Sequence, residues 1–211
     1  MVIPLVFLFM VVLWLSGVLF LVPDPGFAAR PVESPWKQVA AEMEELVAAD
    51  PDNIEYIFRL AVAYANLGRI DESANAFIRA GEIDKERVYA EKIIAAYRPE
   101  LDSGRLNLLE LNYLAFAYYS EDQYAEACQV FYKVVEADPA NEWPRNYLGF
   151  SLYKANRLDE AIPVLQKAVR LNPSNEYSHF LLGMAYYYKG WYFRAIGEAA
   201  RAPNVIKKFF K

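Results

Sequence analysis

Side chains suited to chemistry are sparse in this chain. It has one histidine, His179, and one cysteine, Cys128. A zinc-type centre needs three or four such ligands brought together, so no metal site of clustered His and Cys can be built from them. A lone thiol also leaves no disulfide within the chain. No Gly-rich phosphate loop and no Gly-x-Ser-x-Gly nucleophile turn occurs in the sequence. The acidic pairs Glu44-Glu45, Glu121-Asp122 and Asp159-Glu160 fall in helix surfaces or turns. They read as solvation and capping rather than as a paired acid and base. His179 takes a helix position that packs on its neighbour, and Cys128 follows Ala127 in a second helix. Both are expected to be structural, the thiol as a small buried hydrophobe. The chain is therefore expected not to be an enzyme, with no cofactor, no metal and no small-molecule substrate.

Composition narrows the classes further. The net charge of -5 and pI of about 5.1 come without a basic stripe, so no nucleic-acid partner is expected. Apolar residues make up 55% and aromatics 16%, which is enough to bury a core and excludes a disordered chain.

The elements that must position any site repeat at a fixed interval. Leu114, Leu148 and Leu182 lie 34 residues apart, followed by Ala115, Gly149 and Gly183, then Tyr118, Leu152 and Tyr186. Ala127, Ala161 and Ala195 continue the register, and Pro139 and Pro173 close two of the units. Self-similarity at this period specifies a helical solenoid. The regular repeats are 54–84, 108–141, 142–175 and 176–203. Leu60 and Leu114 stand 54 apart, 20 more than one period, so 85–107 is an irregular insertion. Within it Val88, Ile93, Ile94 and Tyr97 give one apolar helix face before Pro99 and Asp102-Ser103-Gly104 break it.

The flanks differ in kind. Residues 1–23 contain no charged side chain, and Val2 to Val22 is almost wholly apolar. About 20 such residues cross a hydrocarbon core as a helix, so 1–23 is expected to be a single-pass signal anchor that puts the protein on a membrane. Gly26-Phe27-Ala28 keeps open the alternative of signal cleavage and a secreted or periplasmic product. Residues 24–35, with Pro23 before them and Pro25, Pro31 and Pro35 among them, read as a stiff linker. The solenoid is expected to span 36–203, opening with a helix that presents Val39, Met43, Leu46 and Val47 on one face. Residues 204–211, with Val205, Ile206, Phe209 and Phe210 beside three lysines, are expected to fold over as a cap.

These units resemble the tetratricopeptide repeat (TPR). Tyr-Leu-Gly-Phe-Ser-Leu-Tyr (147–153) and Leu-Leu-Gly-Met-Ala-Tyr-Tyr (181–187) carry the pattern, as do Tyr124-Ala125-Glu126-Ala127 and Leu158-Asp159-Glu160-Ala161. The resemblance implies an all-α solenoid of about four helix pairs plus flanking helices, to which the apolar run at 1–23 adds the expected N-terminal transmembrane helix. It also implies that the first helix of each pair lines a groove for a peptide or protein segment. Carried onto this sequence, the groove offsets fall on Phe58, Val62 and Asn66, then Asn112, Phe116 and Tyr119. They continue through Asn146, Phe150, Tyr153 and Lys154 to Phe180, Met184, Tyr187 and Tyr188. Lys154 is the one clear cation there, so an apolar or tyrosine-compatible segment fits better than an acidic tail. The expected function is a membrane-tethered interaction scaffold, with a structural subunit of a larger or self-associated assembly as the alternative.

Overall fold

A computed structural model describes residues 34–209, and within it Pro35 onward forms one compact unit. The expected anchor (1–23), most of the linker and the last two residues lie outside the described residues. Every described element is helical: α1 Pro35–Ala49, α2 Ile54–Asn66, α3 Ile70–Ile83, α4 Val88–Tyr97, a 3₁₀ turn Arg98–Ser103, and α5 Leu108–Ser120. There follow α6 Tyr124–Ala137, α7 Trp143–Lys154, α8 Leu158–Leu171, α9 Glu176–Tyr188, α10 Tyr192–Ala199 and α11 Pro203–Phe209. Among the described residues no helix is long and apolar enough to cross a membrane.

Local chemistry sets the boundaries. Asparagine caps the first helix of three pairs: Asn53 at α2, Asn107 at α5 and Asn175 at α9. Each side-chain oxygen accepts from two otherwise orphaned backbone N–H groups. At α5, Glu110 also accepts from the Asn107 backbone N–H at 2.8 Å, which completes a capping box. The turn inside each pair uses one left-handed residue at a constant register: Gly68, Asp122, Asn156 and Gly190. Gly, Asn and Asp tolerate that conformation best, so each helix reverses in the space of one short turn.

Packing follows the pairs α2–α3, α5–α6, α7–α8 and α9–α10, with α1 laid on α2 and its Trp36 fully buried. α6 is then covered by α7, and α8 by α9. The insertion breaks this succession. α4 packs on α5 in the place that the regular stack would give to α3. Asp84 accepts from the N–H groups of Val88 and Tyr89 and starts α4 directly after α3.

The displaced α2–α3 hairpin reaches past its neighbour. Phe77 of α3 stacks on Phe116 of α5 with ring centres 5.6 Å apart. Asn66 at the end of α2 donates to Asn112 Oδ1 at 3.0 Å, and Gly68 lies against the indole of Trp143 at the start of α7. Units of a simple solenoid touch only the next unit; here the first pair touches the second and third, and Tyr177 of the fourth lines a cleft beside α3.

The tail does pack, but on α9 and not over α10. Glu176 Oε2 accepts from the Asn204 N–H at 2.8 Å, and its Oε1 accepts from the Asn204 side chain at 2.7 Å. Lys208 reaches Asp71 of α3. The outer face of α10 therefore stays open, with Phe193 94% and Ile196 66% exposed.

Candidate functional site

The residues assigned to a groove divide into two groups. Phe58, Val62, Asn66, Asn112, Phe116 and Asn146 are buried. They act in packing, and of them only Phe58 and Phe116 border the cleft beside α3. Asn112 is committed inside: its amide donates to Leu108 O at 2.8 Å while its oxygen accepts from Asn66. The expectation that Asn66 and Asn112 face an open groove is corrected on that ground.

The second group is reachable. Tyr119, Phe150, Tyr153, Phe180 and Met184 are half-buried, and Lys154, Tyr187 and Tyr188 are exposed. Most of these rings form one continuous ladder across three helix pairs. Centres lie 5.9 Å apart from Tyr119 to Phe150, 6.1 Å from Phe150 to Tyr153, and 4.9 Å from Tyr153 to Tyr188. Tyr188 then meets Tyr187 at 5.6 Å, and Tyr187 meets Tyr192 at 5.6 Å. Mutual ring contacts hold the wall in shape before anything binds, which lowers the ordering cost of association. Phe180 pairs instead with Tyr177, 6.4 Å away.

Two parts of this surface were not reached by carrying over first-helix offsets. Tyr124 and Tyr192 belong to second helices, yet both join the ladder; Tyr124 lies 5.7 Å from Tyr119 and sits under the Lys154 ammonium. The run Tyr187-Tyr188 and Trp191-Tyr192-Phe193 was the available signal for Tyr192. The other part is a cleft of about 420 Å³ beside α3. Ile70, Ala74 and Ile78 form one wall; Phe116, Tyr119, Tyr147 and Tyr177 form the other. The Arg87–Glu121 ion pair stands at its rim, and burial raises the Glu121 carboxyl pKa. Tyr119 belongs to both cleft and ladder, so the two make one surface.

The phenols in this region are hydrogen-bonding tips, not acids. Burial holds Tyr119 and Tyr147 far above the ordinary tyrosine range, and burial with the Asp122 carboxylate lifts Tyr124 to about 12. A raised folded-state pKa contributes stability that is fully present below the unfolded value near 10 and is lost as pH climbs above it. Tyr119 and Tyr147 together are expected to cost about 2 kcal/mol of stability between pH 10 and 11, because the unfolded phenols are half ionised at pH 10 and the full slope of ~1.4 kcal/mol per group and pH unit is reached only above pH 11. Denaturant midpoints at pH 8, 10 and 11 check this; a flat profile would contradict the burial of these phenols.

His179 and Cys128 are placed as structural residues. His179 is buried, with Nδ1 2.6 Å from Glu198 Oε2 and Nε2 3.0 Å from Pro173 O. It ties α9 to α10 and to the preceding turn. Cys128 is buried, and desolvation pushes its thiol up to about 11. Among the described residues no group of His, Cys, Asp and Glu is assembled to hold a metal.

The fold and this surface define an all-helical tetratricopeptide-repeat solenoid. A tetratricopeptide repeat model matches residues 54–87 and 112–141, and a second TPR repeat model matches 151–190. Among solved structures the chain is similar to MamA 41-end from Desulfovibrio magneticus RS-1, at 18% identity over 82% of this chain and 86% of that one, with a TM-score of 0.47. It is also similar to MamA AMB-1, at 23% identity over 81% and 88% of the two chains, with a TM-score of 0.46. MamA MSR-1 stands at 22% identity over 82% and 88%, with a TM-score of 0.45. No curated protein matches the chain.

Proposed function

We propose that this protein is a non-catalytic interaction scaffold that binds a protein or peptide segment along the ladder from Tyr119 to Tyr192. The observation that carries the reading is the continuity of that ladder, which runs across three helix pairs and ends in the exposed rings of Tyr187 and Tyr188. Rigid amphipathic rings supply contact area at low entropic cost, and tyrosine is enriched where binding energy concentrates. The cleft beside α3 accepts an apolar anchor from the same segment. Lys154, on the ladder's edge, lies over Tyr124, so the partner segment is apolar or tyrosine-compatible rather than acidic. In this reading the apolar run Val2–Val22 tethers the scaffold to a membrane.

A cross-linking pull-down from native membranes tests it, comparing the wild type with a Tyr153→Ala, Tyr187→Ala, Tyr188→Ala variant. These rings lie at the solvent side of the ladder, so helicity and melting are expected to hold. Capture of the specific partner is expected to fall by roughly 100-fold, as for loss of two or three binding hot spots. Full retention of the partner by the folded variant would remove the ladder as the binding surface. In the same preparation the chain should sediment with membranes at high salt; recovery in the soluble fraction would remove the tether.

A further inference from the structure

The open face of α10 lies beyond the ladder, and its chemistry is unlike that of the equivalent faces in earlier repeats. In α6 and α8 the positions equivalent to Ile196 are Cys128 and Ile162, both buried under the next helix. An uncapped stack explains the exposure of Ile196 alone. It does not explain its surroundings. Tyr188, Trp191, Phe193 and Arg194 replace Lys154, Arg157, Asp159 and Glu160 of the preceding repeat. Asp159 and Glu160 are solvent-facing there, so Phe193 projects where a further stacked repeat would not cover it.

The charge changes with the side chains. Residues 189–202 hold Lys189, Arg194 and Arg201 against Glu198 alone, a net +2 in a chain of net -5, while Lys207 and Lys208 belong to the tail that packs on α9. Lys189 and Lys208 pair with the exposed carboxylates of Asp159 and Asp71, where such pairs are weak and exchange readily, and Arg201 pairs with the largely buried Glu198. Arg194 lies 4.9 Å over the Trp191 ring, and Glu198, the one acid on α10, turns inward to His179. The outward side of α10 beyond the ladder is thus Phe193 and Ile196, followed by Ala200 at its end, with no carboxylate among them. Tryptophan, tyrosine and phenylalanine flanked by cations are the composition that settles at the boundary between headgroups and acyl chains.

We propose that this face docks on an anionic lipid surface, with Trp191, Phe193 and Ile196 entering the interface and Arg194 meeting the headgroups. The docking is separate from partner binding on the ladder and from the apolar run at residues 2–22.

A local probe separates it from both. In the full chain with Cys128→Ala, an environment-sensitive fluorophore is attached at Ala200→Cys on the face, or at Ala48→Cys at the end of α1 as a control. Each protein is mixed with vesicles of phosphatidylcholine alone or of phosphatidylcholine with phosphatidylglycerol. The probe at 200 is expected to shift to the blue on anionic vesicles, to be quenched by brominated acyl chains, and to lose the shift as salt is raised. Adding Phe193→Ser and Ile196→Ser should weaken that response roughly tenfold, while these exposed positions leave melting unchanged. No shift at 200, or an equal one at 48, would overturn the proposal. So would a shift without lipid that grows with protein concentration, because it would assign the face to a protein contact.

Discussion

Phe116→Ala is expected to lower the free energy of unfolding by about 3–5 kcal/mol. Phe116 is buried, and its ring meets Phe77 at 5.6 Å, Phe131 at 5.3 Å and Tyr147 at 4.7 Å. Those partners come from α3, α6 and α7, so one side chain closes the gap between the displaced hairpin and the regular stack. Truncation leaves a cavity lined by rings whose backbones are fixed by their own helices, which gives the site little room to collapse. Against a total stability of about 5–15 kcal/mol for a domain, this is a major loss. Urea unfolding followed by circular dichroism measures it. A loss below ~1.5 kcal/mol would mean that the first hairpin does not pack on α5 in solution.

The second large effect concerns a glycine whose role differs between repeats. A Cβ on Gly149 would stand 2.5 Å from both Cγ and Cδ2 of Leu165, so α7 and α8 touch with no space for a methyl group. In the next repeat, a Cβ on Gly183 would meet nothing nearer than 3.4 Å. Gly149→Ala is therefore expected to cost about 3 kcal/mol through overpacking, whereas Gly183→Ala should cost about 1 kcal/mol or less. Leu165→Ala alone should cost about 3 kcal/mol as a cavity. The double variant Gly149→Ala, Leu165→Ala should then cost clearly less than the two single losses together, because the new methyl occupies the space that leucine vacates. Thermal melts of the four proteins provide the cycle. Equal costs at Gly149 and Gly183, or strict additivity, would contradict this packing of α7 on α8.

The periodicity made the helix pairs legible because small residues at Ala115, Gly149 and Gly183 and large ones at Leu114, Leu148 and Leu182 mark helix contacts directly. The turn residues Gly68, Asp122, Asn156 and Gly190 obey the same register. What the pattern did not contain was the course of the chain after α3. Groove offsets carried to Phe58, Val62 and Asn66 assume that α3 lies against α5, and the insertion puts α4 there instead. That exchange turns the first hairpin toward α7 and buries half of the expected surface. The fate of the tail was hidden for a similar reason. Val205 and Ile206 signal only that the tail has something to bury, and the carboxylate that directs it, Glu176, lies a whole helix pair earlier. Tyr153, Tyr187 and Tyr188 were legible because their helices keep the regular stack; Tyr192 required the paired helix to be read with them.

Photo-cross-linking of the full chain in native membranes tests the central claim most directly. A photoreactive phenylalanine analogue is placed at Tyr187 on the ladder or at Gln129, an exposed position of α6. One discrete adduct from position 187, absent from position 129 and competed away by a synthetic peptide from the captured region of the partner, is the predicted result. An adduct from position 129 with none from 187 would place the binding surface elsewhere on the solenoid.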